Sequence, residues 1–200
     1  MQTRKYPNSA VGSTAATGYT LVELGVVLLI LSLLLTLALP PLGRMLATQR
    51  VRAASDTLQA SLQRARFEAL RGNVRVAMCT SASGTACQAQ GGWHQGWLIF
   101  HDSNNNGQRD GTELVLHREA GMAAQVRIRA NVRILERYVS FVRHGGARGV
   151  SNPPSALGGP LLMGHFDVCA SGVAEVPTFQ IFLRQTGHTR EARRMLVPCS

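Results

Sequence analysis

The chain has 200 residues, of which 21 are Lys or Arg and 11 are Asp or Glu, for a net charge of +10. Setting aside the first eighteen residues and one membrane-length segment leaves about 160 residues, enough for one compact domain. The charge favours anionic partners such as DNA or lipid headgroups. Lys5 is the only lysine, and arginine forks onto phosphate and carboxylate better than lysine does. No Gly-x-Ser-x-Gly, His-Glu-x-x-His or P-loop pattern occurs and the six histidines are scattered, so nothing points to an enzyme.

The first eighteen residues are polar, with Arg4 and Lys5 and no acid. From Tyr19 to Leu39, Glu23 is the only charge. About 20 apolar residues suffice to span a bilayer. The two upstream cations place the N-terminus on the cytoplasmic side. A secretory signal peptide would carry a shorter apolar core and a small-residue cleavage site after it. Here Pro40-Pro41 and Arg44 follow instead. A carboxylate at the head of such a segment is costly and implies a partner.

The string Gly18-Tyr19-Thr20-Leu21-Val22-Glu23 resembles the type III signal of type IV prepilins and pseudopilins, with Tyr19 in place of the commoner phenylalanine. That resemblance implies cutting between Gly18 and Tyr19 by a prepilin peptidase and N-methylation of Tyr19. It also implies that Glu23 neutralises the new α-amino group of a neighbouring subunit during assembly. The implied layout is a leader over 1–18 and a transmembrane, filament-core helix over 19–39. An amphipathic continuation of the helix over 40–72 and a periplasmic β-rich domain over 73–200 would follow. The implied setting is the bacterial inner membrane, crossed once. The implied partners are the peptidase, other pilins or pseudopilins and the inner-membrane assembly platform.

Past Pro40-Pro41, Ala47, Val51, Ala54, Leu58, Leu62, Ala65 and Ala69 recur at spacings of 4, 3, 4, 4, 3 and 4, one apolar helix face. Gly72-Asn73 ends the helix, giving one helix from Tyr19 to about Arg71, kinked near Pro40. Short β-like runs follow between Gly, Asn, Asp, Ser and Pro. They are Val74–Cys79, Trp97–His101, Leu114–Arg118, Val126–Ile134, Tyr138–Val142, His165–Cys169, Phe179–Leu183 and Met195–Val197. Gly145–Pro160 reads as a surface loop. The fold expected is α+β, a long helix lying across one face of an antiparallel sheet.

The cysteines are Cys79, Cys87, Cys169 and Cys199. An even number in a domain outside the inner membrane suggests disulfides, with three pairings possible. A local Cys79–Cys87 bridge across a turn would leave Cys169–Cys199, which would pin the C-terminus. With no Cys-x-x-Cys pair, a zinc site has little support.

Trp93-His94-Gln95-Gly96-Trp97-Leu98-Ile99-Phe100 and the turn from Asp102 to Gly107 resemble the GspH/FimT branch of pseudopilins, as do the helix segment Gln49–Ala69 and the cysteine-bearing hairpin. The resemblance implies a minor pseudopilin of a type IV pilus or type II secretion system, acting in filament initiation or at the tip. The alternative is a pilus-tip subunit that binds DNA during uptake.

Two further patterns bear on ligands. Asp102, Asn104, Asn106, Gln108, Asp110 and Glu113 fit the spacing of a calcium loop, with Gly107 at its turn. The flanks read as strands, however, and Asn and Gly also serve a metal-free hairpin. Arg127, Arg129 and Arg133 alternate with apolar residues along one expected strand, neighbours about 7 Å apart, close to the phosphate spacing of a DNA strand. Arg184, Arg190, Arg193 and Arg194 form a second basic cluster. There Gly187 and Arg190 match a Gly-Arg-x-Arg element of the pilus-associated branch, with His188 in place of its first arginine.

Overall fold

The computed structural model describes residues 18–150, 159–195 and 199, with the side chains of 37–41 also outside the described set. The leader up to residue 17, half of the expected 145–160 loop and the end of the expected Met195–Val197 strand therefore lie outside the described residues. The chain divides into two compact units, Met1–Pro40 and Pro41–Ser200, and the kink expected near Pro40 falls on the division.

Helix α1 runs over Leu21–Gly72. Thr20 caps it, its hydroxyl accepting the N–H of Glu23 at 3.2 Å. At the far end Asn73 takes a left-handed φ of 50°, the conformation that closes a helix and that asparagine tolerates. In the first unit every described residue from Gly18 to Thr36 is exposed. Among the described residues no helix is long and apolar enough to cross a membrane. The apolar run expected to do so continues into residues 37–39, whose side chains are not described.

In the second unit the helix stripe behaves as its spacing requires. Ala47, Val51, Ala54, Leu58, Leu62, Ala65 and Ala69 are all buried. They pack on two four-stranded antiparallel sheets, where one had been expected. The strands are β1 (Val76–Thr80), β2 (Trp97–His101), β3 (Val115–Glu119) and β4 (Val126–Ala130). The rest are β5 (Tyr138–Phe141), β6 (Gly164–Ala170), β7 (Thr178–Leu183) and β8 (Thr189–Arg194). The first sheet has the order β3-β2-β1-β5 and the second β4-β6-β7-β8.

Both faces of the first sheet are covered. Val76, Met78, Trp97, Ile99, Val139 and Phe141 join the core under the helix. Ala77, Cys79, Leu98 and Phe100 form a smaller core on the opposite face, with Cys87, Val115 and Tyr138 packed against it. The cysteines pair as Cys79–Cys87 and Cys169–Cys199. The first bridge lies over the smaller core, and the second ties the C-terminal end to β6.

Two strands depart from the sequence reading. β4 ends at Ala130, and Arg133–Glu136 forms a 3-10 turn. Asn131 stops the strand by exchanging bonds with His165, which donates its N–H to the Asn131 side chain at 2.7 Å and accepts the Asn131 N–H at 3.0 Å. Among the described residues the last strand is Thr189–Arg194; Met195 lies beyond it, and the rest of the expected Met195–Val197 run is outside the described residues.

Candidate functional site

The Trp93–Trp97 segment joins the two sheets. Trp93 makes edge-on contacts with Trp97 of the first sheet and Phe166 of the second, at ring-centroid distances of 6.2 and 5.7 Å. Its Nε1–H donates to the Leu135 carbonyl at 2.7 Å, satisfying a buried donor. Gly96 between them has φ 111°, and a Cβ there would lie 2.6 Å from the Glu119 carbonyl. Only glycine fits this passage.

The Asp102–Glu113 hairpin loop joins β2 to β3, its Arg109 N–H reaching the Cys87 sulfur at 3.3 Å, and its carboxylates bond to the loop itself. Asp102 is fully buried and accepts the N–H groups of Asn106 at 2.9 Å and Gly107 at 3.1 Å. Glu113 accepts the Ser103 N–H at 2.8 Å and the Asp110 N–H at 3.0 Å. Asp110 accepts the side-chain amides of Asn104 and Asn106, and the Gln108 N–H donates to the Asn106 side chain at 2.7 Å. Side-chain oxygens of Asp102, Asn104, Asn106, Asp110 and Glu113 are thus already acceptors within the loop. Among the described residues no group of three or more His, Cys, Asp or Glu is placed to hold a metal ion.

A cation is present, and it is Arg75, which the sequence reading passed over. Its Nε lies 3.5 Å from Asp102 Oδ2, both side chains almost wholly buried. Its Nη2 donates to the Ser140 hydroxyl at 2.8 Å and to the carbonyls of Arg148 and Gly149. Arg75 thereby ties the loop to β5 and to the segment after it. Burial pushes the Asp102 carboxyl above its ordinary value, against the pull of Arg75, and burial likewise lowers the Arg75 guanidinium. The available signal was alternation: Arg75 lies two and four residues before Ala77 and Cys79, on their side of the strand.

The predicted arginines separate. Register places Arg129 opposite Asp167, Asp167 opposite Gln180, and Arg190 opposite Phe182. Arg127, Arg129, Arg190 and Arg194 therefore share the face of the second sheet turned away from α1. Arg194 donates to Gln180 at 3.0 Å and Gln180 donates to Asp167 at 2.6 Å, so a carboxylate sits within this basic face. Arg193 lies on the opposite face, with Glu191, which accepts a bond from Ser55 of α1 at 2.7 Å. Arg184 falls in the β7–β8 turn and Arg133 in the 3-10 turn, not on a strand.

At the N-terminus, Gly18 and Tyr19 are exposed just ahead of α1, and Glu23 lies in its first turn. There the helix dipole favours a carboxylate. Among the described residues Glu23 forms no ion pair.

A known minor pilin shares this fold. The type IV minor pilin FimU of Pseudomonas aeruginosa strain PAO1 matches in one crystal form at 16% identity, covering 76% of this chain and 96% of that one, with a TM-score of 0.54. A second crystal form of FimU matches at 15% identity, covering 74% and 99%, with a TM-score of 0.51. The minor pseudopilin EpsH from the type 2 secretion system of Vibrio cholerae matches at 6% identity, covering 76% and 99%, with a TM-score of 0.46. No curated protein sequence matches significantly. At these identities the FimU likeness shows a common fold. Residues 54–188, more than half of the chain, match the family described as Type II transport protein GspH. The tryptophan bridge, the helix-covered sheets and this match lead to one conclusion: the chain belongs to the GspH family of pilin-like minor pseudopilins.

Proposed function

We propose that the chain is a minor subunit of a type IV pilus or type II secretion pseudopilus that enters its filament through the N-terminal half of α1. The observation that carries this reading is the exposure of that helix. Tyr19, Leu21, Val22, Leu24 and the apolar residues through Leu35 are each about half exposed or more. A helix apolar on all sides is stable only in lipid or among other helices. Before assembly the inner membrane would hold it, and afterwards neighbouring subunits would. Prepilin peptidase cleavage between Gly18 and Tyr19 frees an ammonium, N-methylated at Tyr19, that complements Glu23 of the next subunit. A carboxylate and an ammonium are tolerable in an apolar setting only as a pair. Action at the tip or in filament initiation follows from the minor-subunit class.

The test is Glu23→Ala. Processing and membrane fractionation are expected to stay near wild type, and incorporation into sheared filaments to fall at least tenfold. Wild-type incorporation would refute the role given to Glu23.

A second reading, a DNA-binding subunit at a pilus tip, rests on one observation, the common face of Arg127, Arg129, Arg190 and Arg194. A salt-sensitive mobility shift with duplex DNA, weakened by alanine at these four positions, would support it. The absence of any shift would end it.

A further inference from the structure

Three segments distant in sequence meet beside the C-terminal part of α1. Arg66 of the helix donates Nε–H to the Gly145 carbonyl at 3.1 Å, and its Nη2 lies 3.2 Å from His188 Nε2. Gly145 belongs to the turn after β5 and His188 to the turn between β7 and β8. An arginine has no acceptor to offer, so a hydrogen bond here uses the Nε2 lone pair. The approach of the two turns requires glycine. Gly187 has φ 77°, and a Cβ there would meet the Gly145 carbonyl at 1.9 Å and Arg66 at 3.0 Å. The guanidinium is therefore held in place by backbone that tolerates no side chain.

Beside this junction opens a cavity of about 550 Å³, lined by Arg66, His144, Arg148, Gln185, Thr186 and His188 together with Gly146 and Leu161. Two arginines and two histidines line it, and none of its described lining residues is acidic. Among the described residues neither Arg66 nor Arg148 forms an ion pair. The Arg148 backbone is fixed, its N–H on Ser140 O at 3.0 Å and its carbonyl accepting from Arg75 at 3.1 Å, while its guanidinium makes no hydrogen bond to a described residue. Like charges gathered around one cavity repel unless an anion enters. The lining is rich in N–H and O–H donors, and arginine forks match the oxygens of a phosphate.

We propose that this junction binds a small tetrahedral oxyanion of the phosphate class, with Arg66 and Arg148 as its main donors and His144 and His188 at its rim. The lining includes none of the four arginines of the sheet face, and the site stands independently of both functional readings above. The chemistry admits two sources, free phosphate or the phosphodiester of a nucleic acid.

The test uses the full chain in a non-ionic detergent. Inorganic phosphate is titrated against sodium chloride of equal ionic strength while thermal unfolding is followed. At a tenfold excess over Kd the midpoint is expected to rise by about 3 °C. Arg148→Gln and His144→Ala leave the Arg66 bonds intact and should each at least halve that rise. Arg66→Gln should abolish it. No rise beyond the chloride control would overturn the site, as would an undiminished rise in both Arg148→Gln and His144→Ala. Duplex DNA displaced by saturating phosphate would assign the site to nucleic-acid phosphate. DNA binding that is absent, or that resists phosphate, would assign it to the free ion.

Discussion

Replacing Asp102 by alanine should destabilise the domain far more than any surface ion pair can. The carboxylate is fully buried, and its loss removes the Arg75 partner 3.5 Å away and the acceptor for two loop N–H groups. Breaking a buried pair from one side costs about 3–5 kcal/mol, because the remaining charge stays buried without compensation. For a domain of this size each kcal/mol moves the midpoint by roughly 2–4 °C, so a fall of roughly 6–20 °C is expected. Near-ultraviolet circular dichroism suits the measurement, since Trp93 and Trp97 are both buried and report the packing between sheets. Glu68→Ala is the control. It breaks the Arg71–Glu68 pair, in which Arg71 is 69% exposed, and should cost under about 1 kcal/mol. The double variant Arg75→Met with Asp102→Ala should recover about 1 kcal/mol or more relative to the sum of the single changes. A fall no larger than that of Glu68→Ala, or strict additivity in the double variant, would refute the reasoning.

The two disulfides should differ in value. The sequence separation is 30 for Cys169–Cys199 and 8 for Cys79–Cys87. Loop entropy alone then gives roughly 3.6 and 2.5 kcal/mol, so paired serine substitutions should lower the midpoint more at the first bridge. Removing divalent cations with a chelator should leave the midpoint within about 1 °C, because Asp102 already has Arg75 as its counter-charge and the other loop carboxylates accept internal bonds. A chelator-induced fall of several degrees, reversed by calcium, would show that the loop opens to take the ion.

The helix was legible because its pattern is purely local. Seven apolar positions at helical spacing are the seven buried apolar ones among the described residues of the helix, and Asn73 closes the turn that Gly72-Asn73 announces. β2 matches its expected bounds for the same reason, a continuous apolar run between turn residues. β8 escaped notice because Thr-Arg-Glu-Ala-Arg-Arg contains no large apolar residue. It is an edge strand, where charge protects against further pairing and only one neighbour selects the register. The overrun of β4 has a different cause. Alternation continues through Ile134 in sequence, but Asn131 bonds to His165 and the chain turns. Leu135 then enters the core and its carbonyl meets Trp93. No local pattern encodes a partner 42 residues away.

The division into two sheets, and with it the fate of the arginines, was hidden for a related reason. Period-two alternation tells which residues share a face of one strand, not which strands are neighbours. Arg127 and Arg129 were correctly put on one face, yet their company was set by long-range pairing. That pairing brings Arg190 and Arg194 alongside and places Asp167 among them. The same blindness applies to the Asp102–Glu113 loop. Its residues meet a calcium-loop spacing because oxygen donors at those intervals serve either a metal or the backbone of a tight turn. What separates the two uses is whether a fixed cation already faces the first carboxylate. Here that cation comes from Arg75, 27 residues earlier, and only the fold brings it there.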